Sequence, residues 1–441
     1  MPLDLGDGLS LRQAISADAD ALGTFEGANL EPPEHPARQF AIATHTRDLV
    51  GRPHPSFAPS DFLIVEERQT GRIVSAMCLI SQTWTYDGIP FGFGRPELVA
   101  TAPDFRRRGL VRKQFEVIHA WSAERGELVQ AITGIPNFYR QYGYEMTVNL
   151  DGGRVAYRTD VPVPKDGEPE LYRIRPAMDD DVPFLAETYR LGARRSLLAS
   201  VRDDALWRHD LLGRSQVSGS ARLIRIVETV GGDQIGYLVV RPGLRNRRDV
   251  VLDQFDLVEG ASWLEVTPVV LRYLREHGKT QAEREGLADF ERIFLGLVTD
   301  HPALTVAENL LGRIQPPYSW FLRVPNLPSF IQVIRPVLEA RLAASVAVGF
   351  TGMLKISRYL DGFVLRFERG RLVEVVTFRP TLEDRDVAAF PGLSFLHLLF
   401  GYRTIEELRH LFTDCQVSAG EYRVVLNALF PKKASEVWPV E

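Results

Sequence analysis

The chain has 441 residues, 45% of them hydrophobic and 25% charged, with a formal net charge of −5. That is the composition of an ordinary soluble globular protein, long enough for about three domains. The mild acidity argues against nucleic acid or an anionic membrane as the main partner, and no run approaches the roughly 20 apolar residues of a membrane span.

Leu9 to Arg12 is read as a short strand, and Ser16-Ala17-Asp18-Ala19-Asp20 caps a helix through Leu22 and Phe25. Glu26 to Pro59 is polar and rich in Pro and His, so a loop with short helices is expected. Phe62 to Glu67 and Ile73 to Ser81 form a hairpin around Gly71, and Trp84 to Gly94 is expected to be a glycine-rich turn region. Leu98 to Thr101 is a strand that Pro103 ends by removing a ladder donor. Val111, Phe115, Ile118 and Trp121 or Ser122 then recur at helical spacing, and Glu127 to Thr133 is another strand. Asp160 to Pro169, with three prolines and a glycine among charges, reads as a linker.

The chain then starts again. Leu11-Arg12-x-Ala14-Ile15-x-x-Asp18 is echoed by Ile174-Arg175-x-Ala177-Met178-x-x-Asp181 at a constant offset of 163 residues, and Leu22 by Leu185. A second proline cluster, Pro316, Pro317, Pro325 and Pro328, precedes a third part. There Leu327 to Ala344 reads as an amphipathic helix and Phe350 to Ile356, Gly362 to Arg366 and Leu372 to Thr377 as strands. Leu393 to Phe412 reads as helical with a Thr404-x-x-Glu407 capping box, and Val424 to Phe430 as a buried segment.

One stretch carries chemistry. Glu97-Leu98-Val99-Ala100-Thr101 leads into Pro103-Asp104-Phe105-Arg106-Arg107-Arg108-Gly109-Leu110-Val111-Arg112, a strand feeding a basic, glycine-containing helix start. Unpaired N–H groups, the helix dipole and guanidinium groups suit a phosphate there, and Gly109 permits close backbone approach. A solvated basic turn is the plain alternative. In the second copy the strand Val250 to Leu257 runs into Val258-Glu259-Gly260-Ala261-Ser262, with no arginine and an acid beside the glycine, so an anion would be repelled. The two cysteines, Cys78 and Cys415, lie far apart without metal-ligand spacing and read as core thiols in a reducing compartment. The nine histidines show no metal pattern, so no metal is expected. Met1 to Asp7 is acidic and lacks an apolar signal core, so a cytoplasmic location is expected.

Val99-x-Thr101-x-Pro103-x-x-Arg106-Arg107-Arg108-Gly109-Leu110 resembles the acetyl-CoA motif of GNAT-type N-acyltransferases, R-x-x-G-x-G/A after a strand. Val111 replaces the usual Gly or Ala, as in the branch named for enhanced intracellular survival (Eis). The resemblance implies a mixed α/β, α+β protein of tandem GNAT folds, the second degenerate, with a C-terminal sterol-carrier-like α+β domain. The expected domains are residues 1–158, 170–318 and 325–441.

The resemblance also implies function. Acetyl-CoA is the expected co-substrate, with Val99, Ala100 and Thr101 along the pantetheine and the Val99 N–H as oxyanion donor. Arg107, Arg108, Gly109, Leu110, Val111 and Arg112 would hold the pyrophosphate. Tyr139, in Tyr139-x-x-x-Gly143-Tyr144, resembles the family's acid, with Tyr142 and Tyr144 as packing. A phenol near pKa 10 opposite a thiol near 8.5 leaves a mismatch worth about 2 kcal/mol. The base is implied to be the α-carboxylate of Glu441, at the end of an eleven-residue tail that Trp438 and Val440 could dock. Glu97, acting through water, is the alternative. The acceptor is expected among Glu26 to Pro59 and Trp84, where Glu26, Glu31 and Glu34 would attract a cationic amine. A small-molecule amine or lysyl acceptor and a homohexamer are implied. A lipid carrier with a vestigial acyltransferase half and a non-catalytic acyl-CoA sensor are the rival readings.

Overall fold

The structure is a computed structural model that describes residues 3–135, 137–150, 152–163, 170–381, 384, 387–417, 420–435 and 437. The first part comprises β1 (Leu3–Gly6), β2 (Leu9–Gln13), α1 (Ala19–Leu30), α2 (Pro36–Gly51), β3 (Phe62–Glu67), β4 (Ile73–Tyr86), β5 (Ile89–Thr101), α3 (Leu110–Glu124), β6 (Val129–Ile132), β7 (Glu145–Leu150) and β8 (Gly153–Tyr157). The second comprises β9 (Tyr172–Pro176), α4 (Val182–Ala193), β10 (Leu198–Ser200), α5 (Asp204–Arg208), β11 (Leu223–Thr229), β12 (Gln234–Val240), β13 (Asp249–Leu257), α6 (Trp263–Arg284), β14 (Arg292–Leu295), α7 (Pro302–Val306), β15 (Arg313–Gln315) and β16 (Tyr318–Arg323). The third comprises α8 (Leu327–Val333), α9 (Arg335–Ala343), β17 (Gly352–Ser357), β18 (Gly362–Glu368), β19 (Arg371–Phe378), β20 (Ala388–Ala389), α10 (Phe395–Leu399), α11 (Ile405–Leu411), β21 (Gln416–Val417) and α12 (Gly420–Leu429).

The duplication extends to hydrogen bonds. In both copies an arginine on the strand before the first helix grips an aspartate at the helix start and a glutamate on the neighbouring strand of the sheet. Arg12 holds Asp18 at 2.8 Å and Glu66 at 2.8 Å. Arg175 holds Asp181 at 2.7 Å and Glu228 at 2.8 Å. The aspartate also accepts the backbone N–H of Ile15 or Met178, so a charge-assisted cap locks each helix to its sheet.

The two sheets exchange strands. The first has nine strands in the order β1-β2-β3-β4-β5-β6-β16-β7, with β10 added alongside β4. The second runs β15-β8-β14-β13-β12-β11-β9. Thus β8, from before the linker, pairs with β14 and β15, while β16, from the far end of the second copy, pairs with β6 and β7. The packed units therefore do not follow the expected boundaries at 158 and 318, because sheet pairing is decided by edges left open in space and leaves no mark on local composition. The third part is an α+β unit whose five-stranded sheet runs β19-β18-β17-β20-β21.

Four expectations change. The Glu26–Pro59 segment is largely the 16-residue α2, packed closely on α1: a Cβ at Gly27 would lie 2.6 Å from the Gln39 carbonyl, so only glycine admits this approach. Trp84 to Gly94 is a continuous hairpin, with β4 and β5 joined at Asp87 (φ 48°) and Gly88 (φ 88°), the left-handed pair a tight hairpin turn requires. The helix expected over 327–344 is broken before Arg335 into α8 and α9, and that over 393–412 divides at Gly401 (φ 61°) into α10 and α11. The Thr404–Glu407 capping box forms, with reciprocal bonds of 2.8 and 3.1 Å.

The hairpin tip ties the parts together. Tyr86 donates to the Leu399 carbonyl at 2.7 Å, and Asp87 takes Arg341 at 3.0 Å and Lys433 at 2.7 Å. Trp84 is buried, stacked on Phe93 and met edge-on by Trp320 of β16. If that inserted strand holds the first sheet, Trp320→Ala should destabilise the protein by about 3–5 kcal/mol. Urea unfolding read by fluorescence and circular dichroism checks this; a loss below about 1 kcal/mol would be inconsistent with it.

Candidate active site

The site lies where β5 parts from β6. The two strands pair in parallel only at Phe93–Val129 and Gly94–Gln130. Beyond Gly94 the banks diverge. On the other side of β5, Ala76 faces Ala100 but Cys78 faces Glu97, so Met77 stands opposite both Leu98 and Val99. This is a β-bulge, and Leu98 sits at φ 51°, a left-handed conformation that a leucine adopts only under constraint. The simple alternation expected over 98–101 is thus interrupted in the ladder. A bulge of this kind turns backbone groups out of the sheet and into a cleft.

The chain then makes a short turn over Pro103–Phe105 and enters α3 with Gly109 (φ 77°) as its first flanking residue. Arg107 is also left-handed, at φ 63°. No side chain caps α3, and the first helical hydrogen bond of its entry is Lys113 N–H to the Gly109 carbonyl at 3.1 Å. The preceding N–H groups are the orphan donors of a helix start. The arginines around them are mostly tethered. Arg106 donates to the Thr101 carbonyl at 3.1 Å, Arg108 reaches Asp7 at 3.1 Å over the Phe105 ring, and Arg112 reaches Gln141 at 3.4 Å over the Tyr142 ring. The Arg107 side chain has no partner among the described residues. Together these groups make a preorganised anion cradle. The second copy differs at this point: Ser262 caps α6 by accepting the Glu265 N–H at 3.3 Å, so one helix-start donor is already used.

Tyr139 lies on the far bank. It sits in the short helix Phe138–Tyr142 after β6 and is 4% exposed. Phe115, Phe138, Tyr144 and Phe321 box in its ring. Its hydroxyl lies against Gly134 (φ 127°), where an added Cβ would come within 3.2 Å of it. Burial, and secondarily the charge of Glu97, push the phenol well above its ordinary range. It is therefore a permanent donor. Tyr144 is fully buried and bonded to His119 at 2.9 Å, and Tyr142 stacks on Phe115. Burial holds the His119 ring at about 4, so it is neutral.

The acidic groups are arranged differently from the expected surface array. Glu97 is paired with buried Arg95 at 2.9 Å, and the Arg95 guanidinium lies over the Trp320 ring. Glu26 is fully buried, with no hydrogen-bond partner for either oxygen. Burial and then Glu97 raise its carboxyl far above the usual carboxylate range, so it is held neutral and is no steering charge. Leu22 and Glu26, four residues apart on α1, share the buried face; that spacing was the signal for its burial. Burial likewise raises the Cys78 thiol, and the charge of Glu97 adds to it. Glu31 is engaged by His35 at 3.3 Å and Arg38 at 3.9 Å, and Glu34 is exposed. Trp84, expected to line an acceptor pocket, is core instead. Tyr318 of β16 carries no local signal, yet it meets Gly134 and raises Tyr139 further, a neighbourhood made only by strand exchange.

Glu441 and Trp438 lie outside the described residues. The described tail runs along the first two parts. Leu197 donates to the Ala434 carbonyl at 2.8 Å and Leu198 to Ser435 Oγ at 3.2 Å. Val437 is buried in the large apolar cluster shared by the third part and the first sheet. Among the described residues no group of three His, Cys, Asp or Glu side chains could hold a metal, and no helix is long and apolar enough to cross a membrane.

Residues 36–147, spanning α2, the cleft, the anion cradle and Tyr139, match the family described as "Acetyltransferase (GNAT) domain". That match covers about a quarter of the chain, and the segment is similar to GNAT acetyltransferase domains. No curated protein matches the sequence. Among solved structures, a GCN5-related N-acetyltransferase from Anabaena variabilis is similar at 12% identity, covering 97% of this chain and 99% of that one with a TM-score of 0.64. Eis1 from Mycobacterium abscessus is similar at 15% identity over 98% of both chains, TM-score 0.56. The N-myristoyltransferase of Saccharomyces cerevisiae with bound myristoyl-CoA shares 11% identity over 73% of this chain and 84% of that one, TM-score 0.50. At these identities the likeness is one of fold, and it extends through the whole tandem arrangement.

Glu26 provides a test of the site's electrostatics. A carboxyl that stays protonated in the folded state and ionises when unfolded favours folding below its ordinary pKa of about 4.3 and loses that contribution as pH rises. Glu26→Gln should therefore match the parent near pH 4 and be the more heat-stable near pH 8. Melting curves across this range decide the matter; a variant less stable at pH 8 would show Glu26 ionised and satisfied.

Proposed function

We propose that the chain is an acetyl-CoA-dependent N-acetyltransferase acting on a primary amine by direct transfer within a ternary complex. The observation that carries this reading is the juxtaposition of a bulged β5, an uncapped basic helix start and a permanently protonated tyrosine on the opposite bank of one cleft. In this reading Val99, Ala100 and Thr101 lie along the pantetheine. The cradle of Arg107, Arg108, Gly109, Leu110, Val111 and Arg112 holds the pyrophosphate. No residue of the site is called on for metal chemistry.

The amine attacks the thioester carbonyl, whose oxygen gains charge and takes the Val99 N–H. Collapse expels the thiolate. Burial of Tyr139 widens the proton-affinity gap to the thiol beyond the unshifted values, so its contribution is best described as a strong hydrogen bond to the departing sulfur. The amine must also lose a proton, which from an ordinary lysine-like pKa costs about 4.6 kcal/mol at pH 7. The Glu441 carboxylate is the favoured acceptor of that proton. Val437 is buried, and four further residues span at most roughly 13 Å from it. Glu97 is the alternative, though its charge is already shared with Arg95.

Aminoglycoside-like, polyamine-like and lysyl amines are the acceptor classes the resemblance favours. The same resemblance supports a cytoplasmic homohexamer and a sterol-carrier-like third domain at residues 325–441, whose α+β sheet agrees with that reading.

Tyr139→Phe should lower turnover at least about tenfold with acetyl-CoA affinity nearly unchanged, measured by thiol release against a panel of amines. Unchanged turnover removes the tyrosine from the reaction. Deleting Trp438 to Glu441 should abolish most activity if the terminal carboxylate is the base, whereas Glu97→Gln should do so if the water route operates; the two variants assayed side by side separate the bases.

A further inference from the structure

The second copy keeps its cleft although it has lost the anion cradle. There β13 and β14 pair from Asp249–Arg292 to Leu252–Leu295 and then part, as β5 and β6 do. The space between them is a cavity of about 190 Å³. That is below the roughly 300–1,000 Å³ of sites for drug-sized ligands. It is too small for a coenzyme, and Glu259 together with the Ser262 cap excludes a pyrophosphate at the adjoining helix start.

The lining is unbalanced in charge. Arg154, Arg222 and Arg241 line it with one carboxylate, Asp253. Asp253 is shared: Arg222 holds it at 2.8 Å and Arg241 at 2.9 Å. Arg154 has no carboxylate. Its Nη2 donates to the Leu311 carbonyl at 2.8 Å, and its Nε is buried without a partner. A guanidinium with a shielded, unsatisfied N–H is costly to keep unless an acceptor completes it, and a carboxylate fits its fork with two parallel bonds. Leu150, Leu297, Pro317 and Val437 form the apolar remainder of the wall.

We infer that this cleft is a binding site for a small organic carboxylate, held by Arg154 with its carbon skeleton against the apolar wall. The ligand takes the place in the second copy that the acyl arm of the coenzyme is assigned in the first. The tail crosses the same cavity, since Ala434, Ser435 and Val437 line it. The inference does not depend on the acetyl-transfer reading.

Calorimetric titration of the full chain with succinate, benzoate and inorganic phosphate at pH 7 tests it. At least one of the two carboxylates should bind at one per chain and more tightly than phosphate. Arg154→Gln should weaken it at least about tenfold. Thr299 is exposed at the cavity's edge, so Thr299→Glu adds a repelling charge without disturbing the fold and should also weaken binding. Both variants should keep the parent's thermal shift with acetyl-CoA. Absence of heat with both carboxylates, phosphate binding as tightly as either, or unchanged affinity in Thr299→Glu would overturn the inference.

Discussion

The insertion of β16 between β6 and β7 is the contact on which the rest depends. It closes the edge that β6 would otherwise present, and it brings Trp320 against Trp84 and under Arg95. Through Arg95 it fixes Glu97, and through Tyr318 it completes the surroundings of Tyr139. A strand from the second copy thus shapes the cleft of the first. The reciprocal passage of β8 into the other sheet makes the exchange mutual, so neither sheet is complete without residues from the other half.

Within that frame the cleft is a place of low dielectric. Glu26 and Tyr139 are both pushed towards their neutral forms chiefly by burial, and Glu97 reinforces each shift. The charge of Glu97 is itself balanced by Arg95. By contrast the anion cradle faces solvent-accessible ground, with guanidinium groups steadied by Asp7, Gln141 and aromatic rings. One end of the cleft is therefore suited to hold charge and the other to withhold it, which is the division that the proposed transfer of an uncharged acyl group to a neutral amine requires.

The two copies show how little separates an open anion cradle from a capped helix start. Both retain the arginine–aspartate–glutamate clamp that joins strand to helix. They differ at the turn before the helix. Gly109 leaves donors open among arginines, whereas Ser262 occupies one donor and Glu259 brings negative charge. The parting of the central strands survives in both, because it follows from sheet twist and strand length rather than from the turn.

Much of the first cleft's framework was legible in the residues. The strand into Thr101, the helix from Leu110, the repeat beginning at Ile174 and the Thr404 capping box all rest on short-range rules of period, proline and capping chemistry. The Asp87-Gly88 hairpin was equally local and was obscured by the glycines around it. The bulge at Leu98, the burial of Glu26, the core position of Trp84 and the approach of Tyr318 to Tyr139 were not legible. Each depends on which surface another element covers, and the partner can lie some 180 residues away in the chain. The sequence by itself determined the repeated strand–helix units and the basic turn, because those are set by neighbours within a few residues. Only the tertiary structure decided which strands complete which sheet, and hence which groups share the cleft and in what state of charge, because open edges and buried volume are properties of the assembled whole.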